Sequence, residues 1–260
     1  RVAWDDPHYK WQRSKFVLFR AVWDYFDRFA EFSSWLQKIA DRTHCINTAS
    51  LIYWNIDKHY LLDLNKKGIP MAKTLFIEAN ENHDLQSAVA QLVSTKGASN
   101  DFFVLKPCIA GGARHTYKFM GSEYHLYQPI FESLVGNEAM MLQEFQHAIV
   151  NQGELSIMVI DGSYTHAVIK KAKKGDFRVQ DDFGGSVHPY HPTPNEIAFA
   201  EKVVNACPEP PLYARVDCFI SNEGHLALAE LEIFEPELWF RFHYPAANQL
   251  AKAIKARYFS

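Results

Sequence analysis

Four glutamates stand close together near the end of the chain, in the stretch LALAELEIFEPELW that covers residues 226 to 239: Glu230, Glu232, Glu235 and Glu237. A strand-like segment, YARVDCFI, precedes them, and the turn sequence SNEG lies between the two, which predicts a β-hairpin. Because side chains alternate between the two faces of a strand, Asp217, Glu230 and Glu232 share one face. Three carboxylates on one face indicate a site for a hard divalent cation such as Mg²⁺.

The register of this hairpin decides which charges are opposed. A tight loop would place Arg215 opposite Glu230 and Asp217 diagonal to Glu230, with Leu226 and Leu228 on the carboxylate face. One arginine cannot balance three carboxylates, so we expect Glu230→Gln to leave the stability of the protein unchanged or higher. The alternative is a solvated strand face with a single Arg215–Glu230 pair, and a one-residue bulge would change the register.

A lysine and two glycines form a second candidate site, in the stretch FFVLKPCIAGGARHTYKF at residues 102 to 119. Lys106 stands at the end of a predicted strand, and Gly111 and Gly112 follow in a loop of small residues. Glycines let backbone amides approach a phosphate, and a lysine adds positive charge. The stretch is not a Walker A loop, because GxxxxGK[ST] is absent. The alternative is an ordinary turn between two strands.

A basic stretch, HAVIKKAKKGDFRVQDDFGG, covers residues 166 to 185. We interpret its lysines as the solvated tip of a hairpin: Lys170, Lys171, Lys173 and Lys174. Arg178 differs from them, because it lies between Phe177 and Val179 and close to a second pair of glycines. An arginine in such a position suits a bidentate contact with phosphate.

The elements that must position these residues follow from periodicity and turn signals. A short strand and the start of an aromatic helix are predicted in KFVLFRAVWDYF, and strands and hairpins dominate from about residue 102 to 190. The predicted helices cover residues 31–42, 55–70, 84–97, 122–136, 195–207 and 247–258. Early alternation of strands and helices followed by antiparallel hairpins predicts an α+β fold, with mixed α/β as the alternative. The change near residue 102 suggests a domain junction.

Composition excludes several classes of protein. The chain has 260 residues, is 48% hydrophobic and carries a net charge of −3, so it has no general basic field for nucleic acid. No apolar run is long enough for a transmembrane helix, and we expect no membrane partner. The cysteines form no CxxC pair and are interpreted as buried free thiols in a reducing compartment, which predicts a cytoplasmic location. Because the first residue is Arg, we expect that native sequence precedes it.

Together these elements resemble the ATP-grasp superfamily over residues 50 to 240, in its glutathione-synthetase-like branch. That branch includes ribosomal-protein glutamate ligases and the cyclase-like proteins of cycloserine biosynthesis. The match to the cyclase-like group extends to the segments WDDP, WDY, WNIDKHYLLDL, GDFRVQ and LELEIFEPELW. The order of the motifs along the chain is more specific than any one of them.

The resemblance implies ATP as a cofactor and assigns a role to each matched position. Two lysines, in NIDK and VLKP, reach the nucleotide, and a glycine loop closes over its phosphates. Backbone groups in LQEF meet the adenine, and an acid in GELS holds the ribose hydroxyls. These nucleotide-binding positions are, in chain order, Lys58, Lys106, Gly111, Gly112, Glu144, Phe145 and Glu154.

The same resemblance implies two catalytic arginines and a metal site. Arg178 matches the arginine near the γ-phosphate and the acyl phosphate, and Arg215 matches the one that supports developing negative charge. Asp217, Glu230 and Glu232 would hold two Mg²⁺ ions, with Mn²⁺ as a substitute. Many relatives have Asn where this chain has Glu232, and the additional charge would bind metal more tightly or alter the phosphate geometry.

The family fold has three parts, and the resemblance divides this chain accordingly. Residues 1–100 form an N-terminal α/β domain with linker helices, 101–148 form a small lid domain, and 149–260 form a C-terminal domain that carries the metal hairpin. The N-terminal part starts late relative to the family. We therefore expect that a strand and a helix precede Arg1.

The implied reaction is ATP-dependent ligation of a carboxylate and an amine, or cyclisation within one molecule, through an acyl phosphate. The partners are small-molecule substrates, and a homodimer is compatible with the sequence. The alternatives are a nucleotide-binding module without turnover and a kinase that stops at phosphoryl transfer. The sequence does not name the acceptor, whose pocket is expected near Trp4, Asp5, Arg20, Trp23 and Asp24.

Overall fold

The computed structural model describes residues 1–81, 83–94, 102–179 and 183–259. Its helices are α1 (Phe29–Ala40), α2 (Ala49–Ile56), α3 (Tyr60–Lys66), α4 (Leu85–Ser94), α5 (Tyr124–Val135), α6 (His147–Gln152), α7 (Pro194–Asn205) and α8 (Pro245–Tyr258). Its strands are β1 (Phe16–Leu18), β2 (His44–Ile46), β3 (Thr74–Ile77), β4 (Phe102–Pro107), β5 (Tyr117–Met120), β6 (Met140–Glu144), β7 (Glu154–Ile160), β8 (Ser163–Lys171), β9 (Ser186–Tyr190), β10 (Tyr213–Ile220) and β11 (Leu226–Glu232). The α+β class is confirmed.

The N-terminal part combines the parallel pair β1–β2 with α1. An aromatic cluster fills it, in which Trp4 and Phe32 meet edge to face at 5.3 Å and Phe234 joins from beyond β11. The strand predicted before the aromatic segment is present. The helix starts at Phe29, several residues after that strand, because turns occupy residues 23–28.

The helix predicted over residues 55–70 is present as the shorter α3, and a further helix, α2, ends just before it. α2 was not predicted; it begins after Thr48, whose hydroxyl accepts a hydrogen bond from the Leu51 amide. α3 begins without a side-chain cap at His59. The chain leaves α3 through Gly68 at φ +80°, a backbone conformation that favours glycine.

A four-stranded antiparallel sheet has the order β3-β6-β4-β5. α4 and α5 pack on it around a core that includes Ile77, Phe103, Leu105, Phe119 and Phe131. The division predicted between residues 100 and 101 lies outside the described residues. β3 and α4, which precede that division, belong to this sheet and its core.

A five-stranded antiparallel sheet has the order β11-β10-β7-β8-β9. Side chains alternate between the two faces of β10, and a helix covers each face. Val216 packs towards α7, and Tyr213 packs towards α8. α7 has a capping box, in which Thr193 and Glu196 each bond the other's backbone amide. Among the described residues, no helix is long and apolar enough to span a membrane.

The hairpin β10–β11 forms as predicted, but with another register. Arg215 lies opposite Glu232 and Asp217 lies opposite Glu230, so the predicted Arg215–Glu230 pairing is wrong. A bulge inserts Ala229 between the residues that pair with Asp217 and Cys218. The bulge also turns Leu228 into the core, away from the face where the sequence alternation placed it.

Candidate functional site

One cavity is lined by residues of both large sheets, and it gathers every residue predicted to act. Its lining includes Lys58, Lys106, Gly111, Gly112, Glu144, Phe145, Glu154, Arg178, Arg215, Asp217, Glu230 and Glu232. Their proximity is observed, whereas the role of each remains a prediction. These twelve residues come from five strands and four connecting segments, which explains why no single motif defines the cavity.

Asp217 is the most deeply buried of the three carboxylates and is surrounded by donors. Ser156 donates a hydrogen bond to it at 2.6 Å, the Lys170 ammonium lies at 3.0 Å, and the Arg215 guanidinium lies at 2.8 Å. Burial opposes ionisation, but Arg215 and Lys170 hold the pKa of Asp217 well below its usual range. Asp217 is therefore a fixed negative charge at the centre of the site.

Glu230 is paired with a lysine from a different part of the chain. The Lys58 ammonium, whose side chain is only 8% exposed, lies 3.0 Å from Glu230 and also donates to the Ala110 carbonyl at 2.6 Å. Burial opposes the charge, but Lys58 lowers the pKa of Glu230. Removing this carboxylate would leave Lys58 buried without its ion pair. The structure therefore leads us to expect that Glu230→Gln lowers stability, in place of the unchanged or higher stability expected from the sequence.

Repulsion from the other two carboxylates acts on the pKa of Glu232. Glu232 forms an ion pair with Arg215, which is shared with Asp217. Burial raises the pKa of Glu232 to about 7, because Arg215 only partly offsets burial and the charges of Glu230 and Asp217 add to it. Of the three carboxylates of the hairpin, Glu232 is the one whose charge the neighbouring cations balance least.

Lys106 has no partner of opposite charge within the part of the chain that the structure describes. Among the described residues no ion pair involves Lys106, although its side chain lines the cavity at the end of β4. Burial lowers its pKa, and Glu230 offsets this only in part. Arg178 lines the same cavity but is held by Asp176 at 2.8 Å, with its guanidinium 3.7 Å from the centroid of the Phe183 ring. An anion that enters the cavity would find Lys106 unpaired.

The glycine loop is in contact with the N-terminal part of the protein. A Cβ added at Gly111 would lie 2.6 Å from the ring of Phe26, so glycine is needed for this close approach. Gly112 has φ +56°, a conformation that side chains disfavour. Arg114 fastens the loop through Glu138 at 2.9 Å and through Asp27 at 3.4 Å.

Glu144 and Phe145, which are predicted to contact the adenine, lie at the end of β6 in the four-stranded sheet. Their backbone amides already donate to the carbonyls of Lys73 and Phe102, both at 3.0 Å. The backbone groups left for a base are therefore the two carbonyls, which can each accept a second hydrogen bond. Burial raises the pKa of Glu144, whose buried Oε1 has no hydrogen-bond partner among the residues that the structure describes.

Lys170 is a site residue that the sequence interpretation missed. It was grouped with the solvated lysines, but it is 6% exposed and lies 2.6 Å from Glu154, the acid predicted to hold the ribose. Burial raises the pKa of Glu154, and the positive charge of Lys170 opposes this rise. Alternation in HAVIK could have found it, because Lys170 shares a strand face with the buried Val168 and His166.

The residues expected to form the acceptor pocket do not line this cavity: Trp4, Asp5, Arg20, Trp23 and Asp24. Trp4 is 6% exposed and donates through its indole to Asp24 at 2.9 Å, and Asp5 pairs with Arg28 at 2.6 Å. These side chains hold the N-terminal part together. That part reaches the cavity through Tyr25, and Glu235 lines the same end. Neither had been assigned a role from the sequence.

Sequence comparison supplies the family. Residues 59–232 match the RimK-like ATP-grasp domain. The chain belongs to the RimK-like ATP-grasp family. Residues 1–47 match a second family, described as the N-terminal domain of the D-cycloserine synthetase DcsG. The predicted ATP-grasp membership, close to the cycloserine-biosynthesis group, is confirmed.

Individual relatives agree with this family assignment. The cycloserine biosynthesis protein DcsG of Streptomyces lavendulae is 26% identical over 269 residues, which cover 98% of this chain and 87% of that protein. The crystal structure of D-cycloserine synthetase DcsG superposes with a TM-score of 0.88 at 25% identity, over 98% of this chain and 87% of the other. The ATP-grasp ligase PsnB, solved with a precursor variant, Mg and ADP, has a TM-score of 0.62 at 14% identity over 93% and 78% of the two chains, which shows the fold alone.

Proposed function

We propose that this RimK-like ATP-grasp protein is an ATP-dependent ligase that joins a carboxylate to an amine, between two small molecules or within one. The observation that carries the proposal is the cavity itself. It combines Lys106, which forms no ion pair with any described residue, with Asp217, Glu230 and Glu232 on one face of the hairpin. Anionic phosphates and divalent cations are the ligands that satisfy these two groups together.

ATP would lie along this cavity with its phosphates towards the glycine loop. Lys58 and Lys106 would contact the phosphates, with Gly111 and Gly112 closing over them. Glu144 and Phe145 would meet the adenine through their carbonyls, since their amides are engaged. Glu154 would hold the ribose hydroxyls, and its pairing with Lys170 gives that acid a fixed position.

The carboxylate trio has the donor chemistry that Mg²⁺ requires. Asp217, Glu230 and Glu232 offer oxygen atoms only, and Arg215 is shared between two of them, which supports a need for further positive charge. Two bound Mg²⁺ ions, or Mn²⁺ in their place, would neutralise phosphate charge. Binding of the metal by these three residues is a proposal that the charge balance of the site supports.

The chemistry would proceed in two steps. A carboxylate oxygen of the substrate attacks the γ-phosphorus of ATP, the bond to the bridging oxygen breaks, and ADP leaves. An amine nitrogen then attacks the carbonyl carbon of the acyl phosphate, and phosphate leaves as the C–N bond forms and the nitrogen loses a proton. Arg178 would stabilise the transferring phosphoryl group and Arg215 the negative charge that develops beside it.

The resemblance to DcsG favours cyclisation of a small substrate. Two relatives that cover 98% of this chain are named for cycloserine biosynthesis and for D-cycloserine synthetase. We propose three units for this chain: an N-terminal part, a lid built on the four-stranded sheet, and a C-terminal part with the metal hairpin. A cytoplasmic location and small-molecule partners belong to the same proposal, and a homodimer is compatible with it.

The test is ADP release measured with MgATP and a panel of amino acids and their derivatives. A ligase releases ADP only when both the carboxylate and the amine are present, and mass spectrometry then finds a product that has lost water. A kinase releases ADP with the carboxylate alone and leaves a phosphorylated product. A binding module binds MgATP and releases no ADP with any member of the panel.

A further inference from the structure

A second group of metal-ligating side chains lies outside the carboxylate hairpin. Asp57 follows α2, His59 precedes α3, and Cys108 follows β4. One donor atom of each side chain lies within 4.8 Å of the donor atoms of the other two. None of the three is among the described residues that line the cavity. The fold therefore gathers, from two separate parts of the chain, ligands that the proposed reaction does not use.

The three donor atoms are of different kinds: a carboxylate oxygen, an imidazole nitrogen and a thiol sulfur. Zn²⁺ accepts all three kinds of ligand and usually takes four in a tetrahedral arrangement. Mg²⁺ prefers oxygen ligands, which is what the carboxylate hairpin offers. The chemistry of this group therefore favours a transition metal ion over the ion that accompanies ATP.

His59 lies between two carboxylates. Its Nδ1 is 2.6 Å from Asp57 Oδ1, its Nε2 is 3.1 Å from Glu78 Oε1, and its ring packs against Phe76 with the centroids 4.7 Å apart. A histidine that binds zinc commonly has a carboxylate at its other ring nitrogen, which fixes the orientation of the ring. An ion that bonds to Nδ1 in place of the proton would leave Nε2 to Glu78.

Only a small movement separates the observed positions from those of a zinc site. Zinc–ligand bonds of about 2.0–2.3 Å place neighbouring tetrahedral ligands about 3.3–3.6 Å apart. Asp57 Oδ1 would have to move away from His59 by less than about 1 Å, and the Asp57 side chain, which is 41% exposed, has room to do so. Cys108 is buried, which raises the pKa of its thiol, and a bound cation would supply the charge that the thiolate needs.

The group adjoins both lysines that face the cavity. Lys58 lies between Asp57 and His59, and its backbone amide donates to the Cys108 carbonyl at 3.0 Å. Lys106 precedes Cys108 by two residues on the same strand end. An ion bound to the three side chains would therefore join the start of α3 to the end of β4.

We propose that Asp57, His59 and Cys108 bind one Zn²⁺ ion, with water as the fourth ligand, and that the ion stabilises the junction between α3 and β4. The inference goes beyond the proposed ligase function and does not depend on it, because neither ATP nor Mg²⁺ takes part. The side chains of Asp57 and His59 are partly exposed, so the ion can enter from solvent and a chelator can remove it.

The experiment uses Co²⁺ as a probe, because a cobalt–thiolate bond gives an intense near-ultraviolet absorption band that an oxygen-only site cannot produce. The reduced protein is freed of metal with a chelator and titrated with Co²⁺ in excess Mg²⁺, which occupies the carboxylate hairpin. The variants are Cys108→Ser and His59→Gln. The matched control is Cys207→Ser, which removes a half-buried free thiol after α7.

Wild type and Cys207→Ser should develop the thiolate band, saturate at one Co²⁺ per chain and lose the band when Zn²⁺ is added. Cys108→Ser should show no band, and His59→Gln should bind Co²⁺ at least about tenfold more weakly. A wild-type protein without the band, a band that survives Cys108→Ser, or a band lost in Cys207→Ser would overturn the inference.

Thermal unfolding keeps the test decisive if Cys108→Ser fails to fold. Zn²⁺ at about a hundredfold excess over its dissociation constant should raise the melting temperature of the wild-type protein by about 5 °C. The rise should disappear in His59→Gln, whose side chain is partly exposed, and should persist in Cys207→Ser. An equal rise in His59→Gln and wild type, or no rise in either, would contradict the site. Failure to release ADP with any substrate concerns the proposed function alone.

Discussion

Replacement of Glu232 by glutamine should make the metal-free protein more stable at neutral and alkaline pH. Burial and the neighbouring carboxylates raise the pKa of Glu232 from 4.5 to about 7. The unfolded chain keeps the lower value, so the protonated carboxyl stabilises the folded state fully below pH 4.5, and this contribution is lost as the pH rises to 7. The difference corresponds to roughly 3 kcal/mol above pH 7. Because the side chain is 24% exposed, solvent reduces the effect, and we expect about 1–3 kcal/mol.

The assay is urea unfolding, followed by tryptophan fluorescence in the presence of a chelator at a series of pH values. The free energies of unfolding of wild type and Glu232→Gln should be similar near pH 4.5 and should diverge as the pH rises to 7. Glu230→Gln is the matched control, and it should lose about 3 kcal/mol because Lys58 is left buried and unpaired. A Glu232→Gln protein that is less stable than wild type at every pH would show that the ion pair with Arg215 outweighs repulsion, which refutes the reasoning.

Three further substitutions test other parts of the site. Lys106→Met should weaken ATP binding by about tenfold or more in calorimetry while the protein stays folded, because a charged contact with phosphate is lost; unchanged affinity would remove Lys106 from the site. Gly111→Ala should lower stability by about 1–3 kcal/mol in urea unfolding, because the added methyl group meets the Phe26 ring; an unchanged midpoint would show that the ring moves freely. Lys170→Met should cost about 3 kcal/mol, because it removes a buried partner of Asp217; a neutral result would show that Arg215 alone suffices.

The carboxylate face was predictable because it depends on local periodicity alone. Alternation along two strands placed Asp217, Glu230 and Glu232 together, and the structure has them on one face of the hairpin. The charge partners were not predictable in this way. The register depends on the bulge at Ala229, and Lys58 reaches Glu230 from a segment far away in the sequence.

Side-chain direction explains what the sequence interpretation missed elsewhere. A run of lysines has the composition of a solvated tip, and composition does not show that Lys170 points inward while Lys171 remains exposed. The acceptor pocket was expected at aromatic and charged residues of the N-terminal segment. Most of them hold that segment together, and the fold directs Tyr25 and Glu235 to the cavity through long-range packing that no local pattern encodes.

The most direct test of the account follows one oxygen atom. The carboxylate substrate that supports amine-dependent ADP release is labelled with ¹⁸O in its carboxylate, and the released phosphate is examined by phosphorus NMR. Formation of an acyl phosphate transfers one carboxylate oxygen to phosphate, so the account predicts phosphate that carries one ¹⁸O atom per C–N bond formed. Unlabelled phosphate, formed together with the C–N bond, would contradict it.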